Sequence, residues 1–127
     1  MRGTKPSTVR QDDAALAKVP PAPAWLSKAG KAEWRRIMPA LIERRIITVA
    51  DLGSVENYCA AQARVHELAA QIAAAGDIDL KLHRAQMQAM QTARQLAAEL
   101  GLTPVSRSRP AVRADSNADD DDNPLSV

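Results

Sequence analysis

The chain has 127 residues and a formal net charge of +2, with one cysteine, two tryptophans, one tyrosine and no phenylalanine. This length is enough for one small domain, and a single cysteine excludes an intramolecular disulfide, which fits a reducing cytosol. The sequence contains no run of 18 apolar residues, so it predicts no membrane-spanning helix.

The charge is unevenly distributed along the chain. Residues 1–113 contain all 17 lysines and arginines and 10 acidic residues, so this part carries +7. Residues 114–127 contain five aspartates and no basic residue. A basic body with an acidic tail favours a polyanionic partner such as nucleic acid, and a tail that competes with that partner.

Residues 1–24 are predicted to form a flexible basic arm. They contain four of the eight prolines and few large apolar side chains, and proline stiffens the lead-in to the first helix. Arg2, Lys5 and Arg10 are spaced as in solvated chain rather than on one helix face. One interpretation is that these residues only keep a disordered arm soluble. The other is that they bind DNA phosphates and that the arm becomes ordered on binding.

The first predicted helix covers about residues 28–44 and begins after Ser27, a favoured N-cap residue. Pro39 should kink this helix or split it in two, because proline lacks a backbone donor and clashes with the preceding turn. Trp25 and Leu26 are expected to fold onto its apolar side. That side is a stripe at positions i, i+3, i+4 and i+7, formed by Trp34, Ile37, Met38 and Leu41.

The polar side of the first helix is the most concentrated basic surface of the predicted fold. Lys28, Lys31 and Arg35 are three and four residues apart and share a face, and Arg36 follows directly. These four residues are predicted to contact DNA phosphates. The alternative is that they form an ordinary solvent-exposed helix face with no binding role.

A long second helix is predicted over residues 48–75, with Thr48 and Asp51 as a capping box and Gly76 just past its end. Gly53 is interpreted as permitting a close helix contact. The apolar seam shifts to another side of the helix partway along its length. One half of the helix should therefore face the first helix, and the other half should face the third helix or a neighbouring subunit. The first seam is Leu52, Val55 and Cys59, and the second is Val65, Leu68 and Ile72.

The third predicted helix covers about residues 80–100 and is closed by Gly101 and Pro104. The short turn before it predicts an antiparallel hairpin with the second helix. Alanine-rich helices bury little apolar area per residue, and the predicted core is small. This combination favours self-association. The residues predicted to pack within the chain or between its copies are Trp34, Leu52, Val55, Leu68, Ile72, Met87, Met90 and Leu96.

The segment 105–127 is predicted to be a disordered tail, basic at first through Arg107 and Arg109 and then acidic at Asp119–Asp122. The two arginines are further candidates for DNA contact. The acidic run could compete with DNA for the basic arm or bind a protein partner.

The sequence contains no motif for catalysis. It lacks the GxxxxGK[ST] loop that binds nucleotide phosphates and the HExxH motif of zinc enzymes. His66 and His83 fall on different predicted helices, with no pair of cysteines nearby. We therefore expect a binding protein without a metal or another cofactor.

Several segments in order resemble the small subunit of tailed-phage terminases, of the group that accompanies lambdoid-like long-tailed phages. They are RGTKP at 2–6, PAWLSKAGKAEWRRIMPALIERRIIT at 23–48, ADLGSVENYCAAQARVHE at 50–67 and ELGLTPVSRSR at 99–109. The pattern W-x-x-I-x-P-x-L at 34–41 is among the most specific parts. The turn after Gly76 is shorter than the loop expected from relatives.

This resemblance implies a non-enzymatic packaging factor in the cytoplasm of the bacterial host. Such proteins form homo-oligomeric rings, bind double-stranded viral DNA and pass it to a large subunit with ATPase and nuclease activities. The predicted fold is all-α, with a kinked first helix, a long hairpin and a helical domain at 25–104 that serves DNA binding and oligomerisation. Two alternatives are a helix-turn-helix phage transcription regulator and a purely structural helical adaptor.

Overall fold

The computed structural model describes residues 14–104. This range contains three α-helices and no strand: α1 covers Lys28–Glu43, α2 covers Leu52–Ala75 and α3 covers Leu80–Glu99. A single 3-10 helix, Val49–Asp51, leads directly into α2. The all-α prediction is confirmed, and the predicted helix ends agree within a few residues. The predictions for residues 1–13 and for the tail 105–127 lie outside the described residues.

Helix α1 begins where the Ser27 N-cap was predicted. The Ser27 hydroxyl oxygen accepts the backbone N–H of Gly30 at 3.2 Å, and its carbonyl accepts that of Lys31 at 2.8 Å. The helix continues through Pro39, so the alternative of two separate helices is wrong. Pro39 is tolerated because its ring lies on the exposed side of the helix, where the nearby carbonyls can reach water.

The predicted apolar stripe forms the core of α1. Its four residues are all nearly inaccessible to solvent: Trp34, Ile37, Met38 and Leu41. Leu26 is buried as predicted, but Trp25 is 59% exposed and does not fold onto the stripe. The indole N–H of Trp25 instead donates to Glu56 Oε1 at 2.8 Å, which joins the start of α1 to α2.

Two hydrogen bonds join the later part of the predicted N-terminal arm to the helical region. The Leu16 N–H donates to the carbonyl of Ile47 at 2.8 Å, and the indole N–H of Trp34 donates to the carbonyl of Pro20 at 2.9 Å. The packed part of the chain therefore begins before the predicted boundary at residue 25.

The capping box at Thr48 is present, but it caps the 3-10 turn rather than the α-helix. The Asp51 carboxylate accepts the Thr48 N–H at 2.9 Å and lies 3.1 Å from the Thr48 hydroxyl. The α-helical part begins only at Leu52. Ile47, immediately before the cap, is buried, which fixes the approach of the chain to α2.

The first half of α2 packs against α1, as predicted from the shifting seam. Val55, Tyr58 and Cys59 are buried, and the two helices approach closely at Gly30. A Cβ atom at Gly30 would lie 3.3 Å from Leu26 and 3.6 Å from the carbonyl oxygen of Cys59. The interpretation of Gly53 as the close-contact glycine is wrong, because a Cβ atom there would meet no atom within 4 Å.

Helices α2 and α3 form the predicted antiparallel hairpin. Gly76 ends α2 with φ +82°, a conformation that favours glycine. Asp79 then caps α3, since its carboxylate accepts the N–H groups of Lys81 and Leu82 at 3.0 and 3.3 Å. The Gln86 side chain donates to the carbonyl of Val65 at 3.3 Å, a hydrogen bond between the two helices.

Helix α3 is only sparsely buried within a single chain. Of its twenty residues, all of them described, only Ala93 is buried. Met87 and Met90 are 68% and 44% exposed, so they do not pack in the core of a single chain. Leu52, Ile72 and Leu96 are half-buried, whereas Trp34, Val55 and Leu68 belong to the core. Any packing role of the two methionines therefore requires a partner.

The chain divides into two compact units, and the division falls between Leu96 and Ala97. In the second unit, α3 closes in a Schellman motif, because the N–H of Gly101 donates to Ala98 and that of Leu102 to Ala97, at 3.1 and 2.8 Å. Gly101 has φ +74°, and the predicted closing role of this glycine is confirmed.

Candidate nucleic-acid interface

The outward face of α1 presents a strip of three cations, Lys28, Lys31 and Arg35, which we call the basic strip. Lys28 and Arg35 are exposed and Lys31 is half-buried. From first to last the strip spans about 10 Å along the helix axis, at 1.5 Å per residue. The Ser27 cap sets where the helix begins and the buried stripe sets its rotation, so local sequence and packing together turn these cations toward solvent.

The charges of the basic strip are not compensated within the described part of the chain. The ion pair found between residues 14 and 104 joins Arg36 to Glu33 and involves no residue of the strip. Three like charges on two turns of helix favour a polyanion, because each would replace a counterion at a phosphate. The geometry therefore suits phosphate contact rather than an internal salt-bridge network.

Arg36, the fourth residue of the predicted cluster, has a different environment. Its Nε and Nη2 atoms donate to Glu33 Oε1 and Oε2 at 2.9 and 2.5 Å, a bidentate pair between residues one turn apart. This pair raises the pKa of Arg36 and offsets its charge locally. Arg36 is thus less available to a phosphate than the residues of the strip, although its side chain is 66% exposed.

Glu33 is the one buried charged residue among those that the structure describes. Besides the Arg36 pair, its Oε2 atom accepts the Tyr58 hydroxyl at 2.6 Å, a bond between α1 and α2. Burial alone would raise the pKa of Glu33, but the hydrogen bonds from Arg36 and Tyr58 outweigh burial and lower it. Burial and this bond together raise the pKa of Tyr58, so its hydroxyl stays a donor at neutral pH.

The Glu33–Tyr58 bond joins α1 to α2 and adds to the packing of the buried stripe, which sets the direction in which the basic strip points. This contact was missed at the sequence level. The glutamate at position 33 lies on the buried side of α1, together with Gly30 and Trp34. An unpaired charge buried there would be energetically unfavourable. The burial of Glu33 and the identity of its partner both come from the structure.

The remaining predicted DNA-contact residues fall outside the described range: Arg2, Lys5, Arg10, Arg107 and Arg109. Exposed cations also occur on the other helices, at Arg64 on α2 and at Lys81, Arg84 and Arg94 on α3. The structure thus brings together Lys28, Lys31 and Arg35 and adds no evidence on the arms.

The described residues contain no group of three or more histidine, cysteine or acidic side chains arranged to hold a metal ion. Cys59 is buried in the α1–α2 contact, and burial raises the pKa of its thiol to about 12, so it is an unreactive packing residue. None of the helices between residues 14 and 104 combines the length and apolarity needed to cross a bilayer.

Comparison with protein families decides the assignment. The profile described as "Phage terminase, small subunit" matches residues 30–117, more than half of the chain. The chain belongs to the phage terminase small subunit family. This terminase small subunit therefore serves phage DNA packaging, and the resemblance carried by W-x-x-I-x-P-x-L at 34–41 is confirmed. No curated protein and no solved structure matches the chain.

The matched region contains most of the structural features described above. It begins at Gly30, the close-contact glycine, and includes Arg35, the Glu33–Tyr58 bond and both arms of the hairpin. Lys28 and the RGTKP segment at 2–6 precede it. Small subunits of terminases are generally non-catalytic, which agrees with the motif analysis at the level of the family.

Proposed function

We propose that this terminase small subunit binds duplex viral DNA through the basic strip and does so as a homo-oligomeric ring. The observation that carries the proposal is the uncompensated charge of Lys28, Lys31 and Arg35 on a helix that the Glu33–Tyr58 bond joins to α2. A rigid cationic surface binds the phosphate backbone without reading bases, so binding is salt-dependent and tolerant of sequence.

Self-association would convert a weak surface into an effective one. Three phosphate contacts give a salt slope of only about −3 per subunit, at about −0.9 per contact on B-form DNA, and correspondingly weak binding. Several strips joined in one assembly bind the same duplex by avidity, because the second and later contacts become intramolecular. A ring around or beside the duplex would satisfy this requirement.

In the packaging reaction, the DNA-bound ring would deliver the duplex to the large subunit, which supplies ATP hydrolysis and DNA cleavage. This step takes place in the cytoplasm of the bacterial host. Family membership supports the partnership, and the acidic run at Asp119–Asp122 is one candidate contact for the large subunit. Co-purification of the full chain with the large subunit of the same phage would test it, and failure of the two to associate would exclude it.

The DNA role is tested with matched pairs of lysine substitutions. K28Q/K31Q removes two charges from the basic strip, while K18Q/K81Q removes two exposed lysines from other parts of the described chain. The measurement is the dissociation constant for random-sequence duplex DNA over a salt series, with mass checked by light scattering. The strip variant should bind about tenfold or more weakly and lose about two units of salt slope per bound subunit, whereas the control should bind as the unmodified protein does.

Three outcomes would contradict the proposal. Equal loss in both variants means that net charge alone matters, and no loss in either favours a structural adaptor. A dimer that prefers one operator sequence would favour a helix-turn-helix regulator. That motif needs a turn of three or four residues, whereas Arg44 to Asp51 separate α1 from α2.

A further inference from the structure

A shallow groove lies between α2 and α3 and shares no residue with the basic strip. Four of the residues that line it are small and three are polar: Ala60, Ala61, Ala85 and Ala89, and Arg64, Gln88 and Thr92. Because an alanine side chain ends at Cβ, the floor of the groove stays low and a bulky group can approach both helices closely. The polar side chains bring hydrogen-bonding groups from both helices to the same groove.

The three polar side chains of the groove have no partner within the described part of the chain. Arg64, Gln88 and Thr92 are exposed, and none of them forms a side-chain hydrogen bond or an ion pair with another residue between 14 and 104. Gln88 and Thr92 lie one turn apart on α3, about 6 Å along the axis and about 40° around it. A guanidinium, an amide and a hydroxyl are therefore all available to donate to one ligand.

The charges around the groove favour an anion as that ligand. Helix α3 contains no acidic residue in the range 80–98. Arg84, one turn before Gln88, adds a second cation at about 40° from it around the helix. On α2 the nearest acidic residue along the chain is Glu67, which lies about 60° around the helix from Arg64 and forms no ion pair with it. The cations beside the groove are thus not neutralised by neighbouring carboxylates.

We propose that this groove, which we call the hairpin groove, contacts the sugar–phosphate backbone of duplex DNA. Arg64, Gln88 and Thr92 donate to phosphate oxygens, a role that arginine, glutamine and threonine side chains commonly have at protein–DNA interfaces. The alanine methyl groups pack against the deoxyribose. This inference rests on the DNA binding in the proposed function and adds a second contact surface to each subunit.

An acidic segment of a protein is the alternative occupant, and the shape of the groove argues against it. Protein interfaces depend on a few large side chains that are buried in well-packed pockets. The hairpin groove is shallow and its apolar lining consists of alanines, so it offers such side chains no pocket. A DNA backbone needs none, because its affinity comes from charge and from phosphate hydrogen bonds along an open surface.

The first test compares two single arginine substitutions in the full chain, R64Q and R94Q. Arg94 is also exposed, but it lies about 120° around α3 from Gln88 and does not line the hairpin groove. The measurement is the dissociation constant for random-sequence duplex DNA over a salt series, with folding monitored by circular dichroism. R64Q should bind about threefold or more weakly and lose about one unit of salt slope per bound subunit, whereas R94Q should bind as the unmodified protein does.

A cross-linking experiment locates the contact independently of charge. Cys59 is the single cysteine of the chain and is buried, so a photoactivatable thiol reagent labels an introduced cysteine selectively. T92C places the label in the hairpin groove, and M90C places it two residues earlier, about 160° around α3. Irradiation with random-sequence duplex DNA should attach DNA to labelled T92C and not to labelled M90C.

Each contrary result has a separate meaning. Unchanged binding by R64Q, or equal attachment of DNA to M90C and T92C, overturns the hairpin groove as a DNA contact and leaves the basic strip in place. Loss of assembly mass in R64Q by light scattering, or cross-links from T92C to protein only, shows that the groove is a protein interface instead. If R64Q weakens DNA binding and K28Q/K31Q does not, the basic strip fails and the hairpin groove stands.

Discussion

Removal of the Tyr58 hydroxyl should weaken the attachment of α1 to α2 by a predictable amount. In Y58F, the buried Oε2 atom of Glu33 loses the bond of 2.6 Å and keeps Arg36 as its partner. A hydrogen bond to a charged group contributes about 1.5–3 kcal/mol, and the ring itself is retained, so no large cavity forms. Because Arg36 remains, we expect a loss near the lower end, about 1.5–2 kcal/mol of unfolding free energy.

The pH dependence of this loss gives a second measurement. The pKa of Glu33 is lowered in the folded protein, so its ionised form contributes stability that is fully present above its ordinary pKa of about 4.5. That stability is lost as the pH falls through the still lower folded pKa. The difference between Y58F and the unmodified protein should therefore be full at pH 7 and should shrink at acid pH, as Glu33 becomes protonated in the folded state.

The assay is urea unfolding followed by circular dichroism at one protein concentration, because the stability of a protein that self-associates depends on its concentration. W25F is the matched control, since it also removes a hydrogen bond to a glutamate, the exposed one to Glu56. The control should cost about 0.5 kcal/mol, as exposed polar contacts contribute little. A loss in Y58F no larger than in W25F, or one that stays constant over the whole acid range in which both proteins remain folded, would refute the assigned role of Glu33.

Three further substitutions test local features by the same unfolding assay. G53A should stabilise by about 0.5–1 kcal/mol, since alanine favours helix and its Cβ meets open space; a destabilised G53A would indicate a contact there. R45G should stabilise by about 0.5–1 kcal/mol, because Arg45 has φ +59° after α1, where glycine is unstrained; a loss would show that its side chain matters more. D79A should destabilise by about 1 kcal/mol through loss of the α3 cap, and an unchanged midpoint would exclude that role.

The sequence by itself determined the helices and most of their ends. Ser27, Gly76 and Gly101 act within one turn of the chain, so their effects on helix boundaries can be deduced without knowing what packs nearby. The same holds for the buried stripe of α1, because a helical repeat of apolar residues fixes which side must turn inward. The shared face of Lys28, Lys31 and Arg35 follows from the same periodicity.

Only the tertiary structure decided which side chains meet across helices. Glu33 and Tyr58 are 25 residues apart, and periodicity within one helix contains no information about the partner on another. The same limit explains why Trp25 was expected in the core but bonds to Glu56 at the surface, and why Gly30 rather than Gly53 marks the close approach. The exposure of Met87 and Met90 depends on how much of α3 its own chain can cover, a quantity set by the lengths and placement of all three helices.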